Sequence, residues 1–154
     1  MAYAAIRVRG IINIKPDIKK TLNLLNLTRV NHCVLLDESK STKGMLQTAK
    51  DYITWGEIDN KTITHLISKR GKQIGDKDVT DAYIKSSTSY ASIEKLSEAI
   101  ASNKFKYKEI PDIKPIFRLN PPKKGYEGIK RSYQNKGALG YRGKEIKKLI
   151  ERMI

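Results

Sequence analysis

The side chains able to do acid–base, nucleophilic or metal chemistry are few in this 154-residue chain: His32, His65, Cys33 and the carboxylates Asp37, Glu38, Glu57 and Asp59. Two histidines could form an acid–base pair for cleaving RNA, and a histidine beside a cysteine could activate a thiolate. Spacing argues against the second. If residues 32 and 33 lie on a strand, their side chains point to opposite faces, and Cys33 is better placed as an inert core residue. One cysteine forms no internal disulfide, and with two histidines it makes no zinc set. Asp37-Glu38 and Asp76-Lys77-Asp78 have the composition of loops and helix caps. Lys43-Gly44 lacks the preceding glycine of a phosphate loop, and Gly137-Ala-Leu-Gly140 is not a dinucleotide fingerprint. No catalytic residue, cofactor or metal is assigned, and a histidine-dependent RNA-processing enzyme stays as an alternative that replacing His32 or His65 would test.

The charge is more informative. Thirty-one Lys and Arg against 16 Asp and Glu give a net charge of +15, which calls for a polyanionic partner. Residues 114–154 hold 12 of the basic residues and 3 of the acids, so the last quarter of the chain carries more than half of the excess. There Lys123, Lys124, Lys130, Arg131, Lys136 and Arg142 interleave with Tyr126, Tyr133 and Tyr141. Cations of this kind meet phosphates, aromatic rings stack on exposed bases or sugars, and intervening glycines let the backbone follow an irregular surface. That mixture suits folded RNA, and no helix-turn-helix or basic-zipper pattern suggests duplex DNA. A second cationic set is expected from Arg7, Arg9, Arg29, Lys40 and Lys43.

These groups need a scaffold. Tyr3–Arg9 alternates as a half-buried strand does, Ile6 and Val8 facing in, Arg7 and Arg9 facing out. Pro16 and Asp17 open a helix with Ile18, Leu22 and Leu25 on one stripe. A strand is expected over 31–37, a helix capped by Ser41 or Thr42, and a third strand over 52–58. The result is an α+β core with two helices on one sheet face and the other face free. Asp59 and Ser92 cap helices of an annex over 59–104, with a short helix near 79–85 between them. Prolines and glycines punctuate residues 105–154, which read as an extended basic arm closed by a helix over 143–153 bearing Ile146, Leu149, Ile150 and Met153. No segment approaches the roughly 20 apolar residues of a membrane span, and a cytoplasmic address is expected.

The segments VRGIINIKPDIKKTLNLLNLTRVNHCVLLDES and STKGMLQTAKDYITWGEIDNKTI resemble the ribosomal protein L-thirty family of the large subunit, L-seven in eukaryotes. Thr21-Leu22, Leu25, Leu27, Arg29, His32, Val34 and Met45-Leu46 match its spaced signature, and the resemblance covers nearly the whole chain. The ending, from KPIFRLNPPKKGYEGIKRSYQNKG onward, looks like the longer archaeal form. The resemblance implies a ferredoxin-like, three-stranded antiparallel sheet with two helices on one face, plus the annex and arm. It implies a structural constituent of the 50S subunit that binds and stabilises ribosomal RNA, with 23S RNA as main partner, the 5S region nearby, neighbouring large-subunit proteins, and no obligate homo-oligomer. It brings no catalytic residue. Contacts carry over to Arg9, Arg29 and Lys43, and Lys43 stands where many members have Arg, a point charge in place of a planar bidentate fork. A free-standing RNA chaperone or regulator is the remaining alternative.

Overall fold

The computed structural model describes residues 1–154. The first half alternates β1 (Tyr3–Arg7), α1 (Pro16–Leu24), β2 (His32–Leu36), α2 (Lys40–Thr48), β3 (Ile53–Glu57) and α3 (Asn60–Arg70). There follow β4 (Lys72–Gln73), α4 (Asp81–Ser87), α5 (Ile93–Ala101), β5 (Ile113–Lys114), β6 (Ile116–Arg118), β7 (Gly128–Ser132), β8 (Gly137–Tyr141) and α6 (Ile146–Met153). Local chemistry sets most boundaries. Pro16 enters α1 at a position that needs no N–H, and Asp17 sits in its first turn. Asp59, Thr80 and Ser92 each accept a hydrogen bond from a backbone N–H of the helix they begin. The cap of α2 is Ser39, whose hydroxyl accepts from the Thr42 N–H at 3.1 Å, two residues ahead of the earliest expected cap.

β1 lies at the centre of a six-stranded sheet ordered β6-β2-β1-β3-β8-β7. It pairs antiparallel with β2, Ala5 opposite Val34, and with β3, Ala5 opposite Trp55. β6 adds to β2 antiparallel, whereas β8 joins β3 parallel, and β4 and β5 form a separate ribbon. The sheet is mixed but mostly antiparallel, in an α+β fold.

Side-chain alternation divides the interior in two. Tyr3, Ala5, Val34, Ile53 and Trp55 pack against Leu22 and Leu25 of α1 and Leu46 of α2. Ala4, Ile6, Cys33 and Phe117 face the other way, onto Ile63, Leu66 and Ile67 of α3, Leu96 and Ile100 of α5, and Leu149, Ile150 and Met153 of α6. The face expected to be free is therefore the larger core, and the annex is its lid. This also overturns the expected outward face of β1. Every residue of the strand is buried, Arg7 included, because helices cover both sides.

The expected extended arm is instead three strands and a helix folded onto the sheet, which grows from the three strands anticipated to six. Phe117 and Leu119 enter the annex-side core, while Ala138 and Leu139 close over Val8. The Arg142 N–H donates to the Trp55 carbonyl at 2.9 Å, and the Asn120 N–H donates to Met153 at 3.0 Å. Gly137 makes the turn between β7 and β8 possible. A Cβ there would lie 2.0 Å from the Arg131 carbonyl oxygen, so any other residue would push the strands apart.

Candidate nucleic-acid interface

The two cationic sets predicted from sequence divide according to burial. Arg7 is only 2% exposed. Its Nη1 donates to the Leu27 carbonyl at 2.7 Å and its Nε to the Arg9 carbonyl at 2.9 Å, stitching the loop after α1 to the end of β1. Nη2 has no partner, and burial lowers the side chain's proton affinity from its usual value. Arg142, 6% exposed, is an interior brace too. Its Nε donates to Thr54 Oγ1 at 2.8 Å and Nη2 to the Ala138 carbonyl at 2.9 Å, Glu127 lies 3.7 Å away, and the guanidinium sits 4.9 Å over the Tyr133 ring. Neither arginine is available to a surface partner.

The remaining cations are outward. Arg29, Lys40, Lys123, Lys124, Lys130, Arg131 and Lys136 are exposed, and Arg9 is half-buried above Tyr52. The chain's side-chain ion pairs use other residues, so this set carries charge without an internal counter-ion. Lys43 differs, since it pairs with Glu38 at 3.3 Å. Lys40 opens α2, where the unsatisfied backbone N–H groups also favour an anion.

The tyrosines are more tethered than their sequence context suggests. Tyr141 donates to Glu57 Oε1 at 2.6 Å, a bond that, with some burial, pushes its pKa up to about 12. Its ring remains 47% exposed and lies 6.2 Å from Trp55. Tyr133 has one face covered by Arg142, and Tyr126 donates to Asn31 Oδ1 at 2.6 Å inside the fold. Tyr126 is thus a clasp between the C-terminal segment and the loop before β2.

The groups considered for catalysis separate. His32 faces the α1/α2 side of the sheet, His65 sits on the exposed face of α3 on the opposite side, and Cys33 is fully buried with its thiol pKa driven upward by that burial. Asp59 caps α3, Asp37 accepts from Thr42, and Glu38 accepts from the N-terminal ammonium at 2.9 Å. No three His, Cys, Asp or Glu side chains converge on a common point.

Sequence reasoning missed Lys114 and Arg118. The Pro115 neighbour suggested an extended linker, yet Ile116-Phe117-Arg118-Leu119 has the alternation of a strand, a local signal that puts Arg118 on the face opposite Phe117 and Leu119, while its place beside β2 comes only with the fold.

The surplus of outward cations without an internal counter-ion gives this α+β fold a surface suited to a polyanion. A family model described as ribosomal protein L30p/L7e matches residues 3–53, the span from β1 into β3. Similarity to the protein named large ribosomal subunit protein uL30 extends much further: 51% identity with that of Methanosphaera stadtmanae, covering 99% of each chain. The Thermoplasma volcanium protein of that name is 51% identical across 98% of this chain and 92% of its own. That of Methanocorpusculum labreanum is 43% identical, across 98% and 99%. The chain belongs to the ribosomal protein L30p/L7e family.

Proposed function

We propose that this protein is a non-enzymatic structural constituent of the large ribosomal subunit, working in the cytoplasm, where it binds ribosomal RNA beside neighbouring ribosomal proteins. The observation that carries the reading is near end-to-end similarity to archaeal proteins named for that subunit. The surplus of outward cations supplies the physical means: each docks on a phosphate and releases condensed counter-ions.

Within that role, 23S RNA is the main partner and the 5S region lies nearby. Residues 1–58 act as the RNA-binding core, for which the ferredoxin-like description is our reading, 59–104 as the helical annex, and 105–154 as the basic segment. Direct contacts come from Arg9, Arg29, Lys40, Lys43 and the Lys123–Lys136 stretch, with Tyr133 and Tyr141 offering ring faces. Arg7 and Arg142 hold the surfaces that present them.

Sedimentation tests this reading. Tagged full-length protein expressed in an archaeal host should travel with large subunits after a high-salt wash. Release into the free fraction by that wash would favour the free-standing RNA chaperone and overturn an integral role.

A further inference from the structure

At the β2–β6 end of the sheet a groove of about 520 Å³ opens between the loop before β2 and the segment entering β6. Four basic side chains line it: Arg29, His32, Lys114 and Arg118. Their convergence follows from register. His32 is directly opposite Arg118 in the antiparallel pair, which puts their Cβ atoms about 5 Å apart on one face. Arg29 approaches from the loop, and Lys114 from just ahead of the strand.

The balance of charge in the groove is incomplete. Asp76 is the one carboxylate engaging these cations, 2.6 Å from Lys114 and 3.7 Å from Arg118. Arg29 is in no ion pair. Behind it lies Arg7, a buried guanidinium with one unpartnered nitrogen and no carboxylate. Burial, then Arg118, Arg29 and Arg7, depress the pKa of His32, so these positive charges meet at one place. Like charges gathered on a rigid strand pair, with a single shared acid, raise the potential of the site and favour an external anion. Pro115 and Ile116 add an apolar wall, and Val30 stands exposed at the rim.

We infer that this groove is a seat for the phosphodiester backbone of folded RNA, with Arg29 and Arg118 each clamping a phosphate across it, His32 between them and the apolar wall against the ribose. The inference rests on the RNA-binding role proposed above and adds a site on the opposite sheet edge from the Lys130–Lys136 region. A guanidinium suits the position because its planar fork gives two parallel hydrogen bonds to phosphate oxygens.

The test compares full-length wild type, Arg29→Gln/Arg118→Gln and Lys123→Gln/Lys130→Gln on a transcribed archaeal large-subunit ribosomal RNA across a salt series. The groove variant should bind about tenfold more weakly at moderate salt, its slope of log affinity against log salt shallower by about 1.5, as expected for two lost phosphate contacts. Both arginines are outward, Arg118 65% exposed, so its thermal unfolding should match wild type. Arg29→Lys/Arg118→Lys, which keeps the charge but not the planar fork, should preserve the slope more fully than the affinity. Wild-type affinity and slope in the glutamine variant, with Lys123→Gln/Lys130→Gln weakened, would overturn the groove while leaving RNA binding intact. Failure of wild type itself to bind would remove the underlying reading instead.

Discussion

Two buried arginines mark opposite sides of the same sheet and are treated differently by their surroundings. Arg142, beside β3 and β8, is enclosed by a hydroxyl, a carbonyl, a tyrosine ring and the carboxylate of Glu127. Arg7, at the end of β1, has two carbonyls and no carboxylate. The first is a finished internal joint. The second leaves net positive charge beneath a groove already lined by basic groups, and low dielectric there keeps that charge poorly screened. Burial by itself therefore says little about whether a cation concerns only the fold: what matters is whether the fold neutralises it.

The largest effect expected from breaking this arrangement is deletion of 114–154. That segment supplies two strands bonded directly to the first three, together with Phe117, Leu119 and four α6 residues of the annex-side core. The truncated chain should lose cooperative urea unfolding and near-ultraviolet dichroism; retention of a sharp transition would show that the strands are dispensable.

Next comes the pair of arginines. Arg142→Met should cost about 3 kcal/mol, since it leaves the Ala138 carbonyl without its guanidinium donor and removes the charged bond to Thr54, although Thr54 still donates to Gly140 and Glu127 keeps Arg152. Arg7→Met should cost about 1–2 kcal/mol, because loss of its two carbonyl bonds is partly offset by removal of an uncompensated buried charge. Denaturant midpoints of the two variants measure the contrast, and equal losses would erase it.

The smallest effect is that of pH on His32. Its folded pKa lies below the ordinary value near 6.5, so the unfolded chain takes up the proton first. The stabilising contribution is complete above about pH 6.5 and is lost as the pH falls from there through the folded pKa. Unfolding free energies between pH 7.5 and 5.5 should decline in wild type and decline less in His32→Gln.

Much of this architecture was readable from residue order. The Ile18-Leu22-Leu25 stripe, the caps at Asp59 and Ser92, and the strand over 31–37 announced elements whose signals are local. The C-terminal segment was misread because its signals are not. Gly137-Ala-Leu-Gly140 is too short and too glycine-rich to advertise a strand, and β8 becomes one by pairing in parallel with β3, more than eighty residues earlier. Arg7 was misread for a related reason. Alternation of Arg with Ile and Val ordinarily marks a wet face, and only the carbonyls of Leu27 and Arg9, brought together by the turn after α1, make the interior tolerable for it. The same blindness hid the groove: Arg29 was visible as a charge, but its grouping with Arg118 depends on β6 pairing with β2.

Placing β1 in the middle of the sheet has a consequence for biosynthesis. β1 meets both of its partners, β2 and β3, early in synthesis, but the annex-side core stays open until Leu149, Ile150 and Met153 emerge. A chain that stops before α6 leaves the apolar faces of α3 and α5 without that cover, the kind of surface that drives aggregation.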